Sequence, residues 1–65
     1  MKTKEVNLTN GLDTARFNID FCLGWAEVLL NGKFFRAVPA RLVAYQADCM
    51  RWLSSQTKGM QWRLA

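Results

Sequence analysis

Trp25-Ala26-Glu27-Val28-Leu29-Leu30-Asn31-Gly32-Lys33-Phe34-Phe35-Arg36-Ala37-Val38 is the stretch that decides the fold. Two apolar runs flank an Asn-Gly pair. That dipeptide suits a type I′ turn, because both central positions need φ > 0. The stretch therefore reads as a β-hairpin. A two-residue loop sets the register, with Leu30 facing Lys33, Leu29 facing Phe34, Val28 facing Phe35 and Glu27 facing Arg36. Opposite charges directly across a ladder favour that alignment. Both faces of the hairpin then carry large apolar groups. One holds Ala26, Val28, Leu30, Phe35 and Ala37; the other holds Trp25, Leu29, Phe34 and Val38, with the Glu27–Arg36 pair among them.

Towards the N-terminus, Arg16 to Leu23 alternates, with Phe17, Ile19, Phe21 and Leu23 on one face and Asn18, Asp20 and Cys22 on the other. Period two with aromatic and β-branched residues predicts a half-buried strand. Gly24 marks a bulge or bend before the hairpin. Lys4 to Thr9 also alternates, Val6 and Leu8 against Glu5 and Asn7, and predicts a short strand at an edge. Asn10-Gly11 leads into a loop of several residues through Leu12-Asp13-Thr14.

Towards the C-terminus, Pro39 closes the hairpin and suits the first position of a helix. Leu42, Tyr45, Cys49, Trp52, Leu53 and Gln56 recur at helical spacing, and Val43, Ala47 and Met50 widen the apolar arc. Arg41, Asp48, Arg51, Ser55 and Lys58 form the polar side, where Asp48 and Arg51 are close enough to pair. Lys58 and Gly59 suit the helix end. Met60-Gln61-Trp62-Arg63-Leu64 alternates again and reads as a last strand. The expected fold is a single α+β domain over residues 1–65. A small antiparallel sheet of three to five strands carries one α-helix, about residues 39–58, on one face.

The chain has 65 residues, net charge +4 and no histidine. A core of that size leaves only a few kcal/mol of net stability. The nine Lys and Arg are spread along the chain without a run. Cys22 and Cys49 are too few for a disulfide scaffold and read as free, buried thiols. Met1 to Glu5 leads into no apolar run, so no signal peptide is expected, and no segment approaches the roughly 18 apolar residues of a membrane span. The expectation is a cytoplasmic protein that makes no use of a membrane.

Catalytic chemistry needs a constellation, and none is legible. Without histidine the commonest general base and imidazole metal sites are missing. Glu5, Asp13, Asp20, Glu27 and Asp48 are scattered, and no glycine-rich loop precedes a helix to cradle a phosphate. No catalytic, cofactor or metal site is expected, and the chain reads as no enzyme.

The aromatic load points to binding instead. A single helix covers one sheet face, so part of Trp25, Phe34, Phe35 and Trp62 is left for a partner. Trp25, Leu29, Phe34 and Trp62 are the candidate apolar anchors, and Arg36 and Arg63 give complementarity to an acidic protein surface. Two alternatives stand beside this. Lys33 at the hairpin tip, with Arg16, Arg36 and Arg63, would serve a nucleic-acid-binding module. The extra apolar face would also suit a homo-oligomer.

The order of strand, hairpin, helix and last strand, from about Arg16 to Leu64, resembles small phage-encoded proteins that seize host machinery, among them inhibitors of bacterial RNA polymerase. That resemblance implies a non-enzymatic regulator or inhibitor that binds another protein. The order of three strands then a helix is also similar to integrase arm-binding and related DNA-binding domains. Those lay a sheet in the major groove through basic and polar side chains on its outer face. The outer face here is more apolar, apart from Arg36, Lys33 and Arg16. Both resemblances rest on element order without a shared motif, so neither carries a functional residue.

Overall fold

The Asn31-Gly32 turn forms as its dipeptide dictates. Asn31 has φ 52° and Gly32 φ 81°, both in the left-handed region that a type I′ turn requires. The computed structural model describes residues 2–65. The turn joins β3 (Trp25–Leu30) to β4 (Lys33–Pro39). With β1 (Thr3–Thr9), β2 (Thr14–Asp20) and β5 (Arg63–Leu64) they make a five-stranded sheet in the order β4-β3-β2-β1-β5. Every ladder is antiparallel. A 3₁₀ turn, Ala40–Leu42, and one helix, α1 (Gln46–Gln56), connect β4 to β5. The fold is the small α+β arrangement expected, with one helix on one sheet face.

The hairpin register departs from expectation after two pairs. Leu30 faces Lys33 and Leu29 faces Phe34, but a bulge follows, and Val28 then faces Arg36, Glu27 faces Ala37 and Ala26 faces Val38. The expected Val28–Phe35 and Glu27–Arg36 pairs do not form. The cause lies in the spacing of two apolar residues. Phe35 and Val38 are three apart, so a regular strand places them on opposite faces. Phe35 meets Trp52 edge to face, with centroids 6.3 Å apart, and Val38 is buried in the core. An extra residue in β4 lets both reach the helix side, and Ala37, with less apolar area, turns out instead.

Strand alternation builds the core. Val6 and Leu8 from β1, Ala15, Phe17 and Ile19 from β2, Ala26 and Val28 from β3 and Val38 from β4 line one face. Cys49 and Leu53 of α1, with Ala40, Val43 and Trp62, close over them. Phe17 is fully buried and packs edge to face on Trp52, with ring centroids 5.8 Å apart. So the Val28 side of the hairpin lies under the helix, and the Leu29 side faces away.

Three elements are shorter than their patterns suggest. β2 ends at Asp20 rather than Leu23, because the Asp20 carboxylate accepts the backbone N–H groups of Cys22 and Leu23, both at 3.0 Å. That Asx-turn curls the chain, leaving Phe21 and Leu23 on its exposed outside. The helix does not run from 39 to 58. The chain straightens at Tyr45 (φ −119°, ψ 154°) before α1 begins. Side-chain donors take the carbonyls freed by the break: Lys4 Nζ, from β1, donates to Ala44 O at 3.2 Å, and Cys49 Sγ donates to Val43 O at 3.3 Å. In exchange Val43 is fully buried, while Leu42 and Tyr45 stay exposed. The Asp48–Arg51 ion pair forms on the helix surface. β5 keeps only Arg63–Leu64 of the expected Met60–Leu64 strand. It flanks β1 at Leu8 and Thr9, so only the Thr3 half of β1 is an edge.

The thiols differ. Cys22 is exposed in the β2–β3 turn, not buried as expected; Cys49 is buried, and neither is bridged. Burial pushes the Cys49 thiol up from 9.0 to about 11. Folding therefore holds a proton that the unfolded chain releases, and Cys49 contributes stability below pH 9 that is lost as pH rises towards 11. Urea midpoints measured across that window are expected to fall, and Cys49→Ala is expected to flatten this part of the slope. In native buffer a thiol reagent is expected to label Cys22 promptly and Cys49 only on unfolding; equal labelling rates would contradict the burial.

Candidate functional site

The face of the sheet away from α1 is open, and it is split into two halves. Alternation places Glu5 and Asn7 of β1 and Arg16 and Asn18 of β2 on this outer face. They form a polar network. Asn7 Nδ2 donates to Glu5 Oε2 at 2.9 Å, Arg16 Nε donates to Asn7 Oδ1 at 3.3 Å, and the Arg16–Glu5 ion pair spans 3.7 Å. Exposed pairs of this kind contribute under about 1 kcal/mol each. Their main consequence is that the Arg16 guanidinium is already engaged.

The other half is apolar. On β3 and β4 the outer face carries Trp25 opposite Pro39, Leu29 opposite Phe34, and Ala37 between them. Trp25 is 56% exposed and Phe34 62% exposed, and no element of the described chain covers them. Glu27 stands in the middle, opposite Ala37 on one side and Asn18 on the other. A shallow depression of about 360 Å³ lies where the halves meet, lined in part by Asn7, Arg16, Thr14 and Leu29.

The structure brings together only half of the residues expected to bind a protein. Trp25, Leu29 and Phe34 share the outer face. Arg36 does not join them. It opposes Val28, and its guanidinium lies over the Phe35 ring, 5.2 Å from the centroid. Trp62 is a core residue, 7% exposed, with its indole N–H donated to Thr57 Oγ1 at 3.1 Å. Lys58 and Gly59, both with positive φ, reverse the chain after α1, and that tight return tucks Trp62 under the sheet. Arg63 pairs with Thr9 on the far margin, four strand spacings, or about 19 Å, from β4.

The basic residues expected to meet nucleic acid are also dispersed. Arg16 is on the outer face with Asn7 and Glu5, whereas Lys33 opposes Leu30 and Arg36 opposes Val28 on the helix side. The four do not line one groove.

Sequence reasoning placed Glu27 on this face but missed Ala37 and Pro39 as members of it, and put Val38 there in place of Ala37. The signal was the spacing of Phe35 and Val38, which a bulge-free hairpin cannot bury together. Trp62→Ala is expected to cost about 3 kcal/mol in urea unfolding, as for a buried ring, and Trp25→Ala within about 0.5 kcal/mol. Equal costs would mean that the two indoles have been assigned to the wrong sides.

Among the described residues, no group of three His, Cys, Asp or Glu gathers as a metal-binding cluster, and no helix is long and apolar enough to cross a membrane. Comparison of the chain with known protein families, with curated proteins and with solved structures finds no match.

Proposed function

We propose that this chain is a small non-enzymatic protein-binding regulator or inhibitor that meets its partner with the outer face of its sheet. One observation carries the reading: Trp25 and Phe34 stand in solvent beside the half-buried Leu29 on a flank that no element of the described chain covers, while a full core lies on the other side. Aromatic side chains that are held by a rigid sheet lose little conformational freedom on binding, and such residues dominate interface energetics. The regulatory role is drawn from element order, which resembles that of phage-encoded inhibitors of host machinery.

The test is affinity capture by the tagged full chain from the cells that express it, after nuclease treatment. Trp25→Ser and Phe34→Ser are expected to lose the captured protein while keeping native circular dichroism. Asn7→Ala, in the polar half, is expected to retain it. Capture that survives both outer-face substitutions places the interface elsewhere. Capture that disappears with nuclease, and falls steeply as salt rises, points to nucleic acid instead.

A further inference from the structure

Glu27 sits at the centre of the exposed apolar half. On β3 its same-face neighbours are Trp25 and Leu29; across the ladders it faces Asn18 and Ala37. The Glu27 side chain is exposed, and among the described residues no cation lies within ion-pair distance of its carboxylate. The other charges of this face are engaged or distant. Glu5 holds Arg16, Asp20 caps the β2–β3 turn, and Arg63 lies on the opposite margin.

The isolation of Glu27 follows from the bulge. A regular hairpin would set Arg36 opposite Glu27; the extra residue in β4 sends Arg36 to the helix side and leaves Ala37 there. A partner that covers Trp25, Leu29 and Phe34 must also cover Glu27. A carboxylate stripped of water without a counterion is costly, and one that meets a cation fixes register and specificity. Resting on the protein-binding reading above, we infer that the partner places a Lys or Arg, bracketed by apolar side chains, on Glu27.

A second copy of this chain fits poorly. A two-fold axis through the middle of the patch sets Glu27 against its own counterpart, like charge on like.

The probe is a random displayed peptide library selected on the immobilised full chain. Peptides with a Lys or Arg flanked by aromatic or aliphatic residues are expected to be enriched. Exchanging that basic residue for Glu is expected to weaken binding at least about tenfold, and Glu27→Lys is expected to reverse the preference. If binding requires Phe34 but ignores Glu27→Lys, the cation is wrong and the outer face stands. If Phe34→Ser leaves the selected peptides bound, the outer face is wrong as well. Selection of acidic peptides, or of none, overturns the inference. So does a concentration-dependent dimer in sedimentation that Phe34→Ser dissolves, since a second copy would then be the occupant.

Discussion

Phe17→Ala is expected to remove about 3–5 kcal/mol, a large share of the chain's stability in water. Phe17 lies in β2, the middle strand of the sheet, fully buried and edge to face with Trp52. Truncating a buried Phe costs about 3–5 kcal/mol, part transfer free energy and part cavity. At about 0.05–0.15 kcal/mol per residue, a chain of 65 residues holds roughly 3–10 kcal/mol in total. The cavity would also take away the packing surface of Trp52, which Phe35 shares. The measurement is urea unfolding followed by tryptophan fluorescence and far-ultraviolet circular dichroism. Phe34→Ala, next to the bulge but on the exposed side, is the control and is expected to shift stability by under about 0.5 kcal/mol. Should the two substitutions cost the same, α1 would not be covering the Phe17 face.

The second large effect is expected at Asn31. Its backbone takes the left-handed conformation, and its side chain joins two hairpins: Thr14 N donates to Asn31 Oδ1 at 3.0 Å, and Asn31 Nδ2 donates to Asp13 Oδ1 at 3.1 Å. Asn31 N also donates to Thr14 O at 2.8 Å, which continues the β2–β3 ladder into the turn. Asn31→Gly keeps the conformation and removes the side-chain bridge, at about 1 kcal/mol. Asn31→Val loses the bridge and adds the strain of a β-branched residue at positive φ, about 3 kcal/mol together. Denaturant midpoints of the two variants separate turn geometry from the bridge. If Gly and Val cost the same, the turn conformation contributes nothing.

The turn, the strand alternation and the presence of one helix were legible because each rests on neighbours in sequence. Asn31-Gly32 needs only its own dihedrals, and Val6, Leu8, Phe17 and Ile19 need only period two. What escaped depends on partners remote in sequence or on local captures that an alternating pattern does not show. The helix break is held by Lys4, forty positions from Ala44. Trp62 reaches the core through the left-handed pair Lys58-Gly59, a reversal that the alternation of Met60 to Leu64 does not show. β2 stops early because a single carboxylate, Asp20, captures two amides, and a polar residue in an alternating pattern gives no sign of which it will do. For the binding surface, Trp25, Leu29 and Phe34 could be grouped from the first two hairpin pairs. Arg36 could not be placed without knowing that Phe35 and Val38 are both drawn to the helix.

The same irregularity governs how copies of the chain meet one another. β4 is the free margin of the sheet, and a straight strand there would present an unbroken row of amides and carbonyls to any neighbour. The kink at Phe35-Arg36 breaks that row in the middle, and Pro39, which has no N–H, removes a donor at its end. Lys33 adds a charge at its start. The margin is thus a poor template for edge-to-edge growth. A chain that displays aromatic residues on its open face stays protected from zipping into filaments by the one residue that spoils its outermost strand.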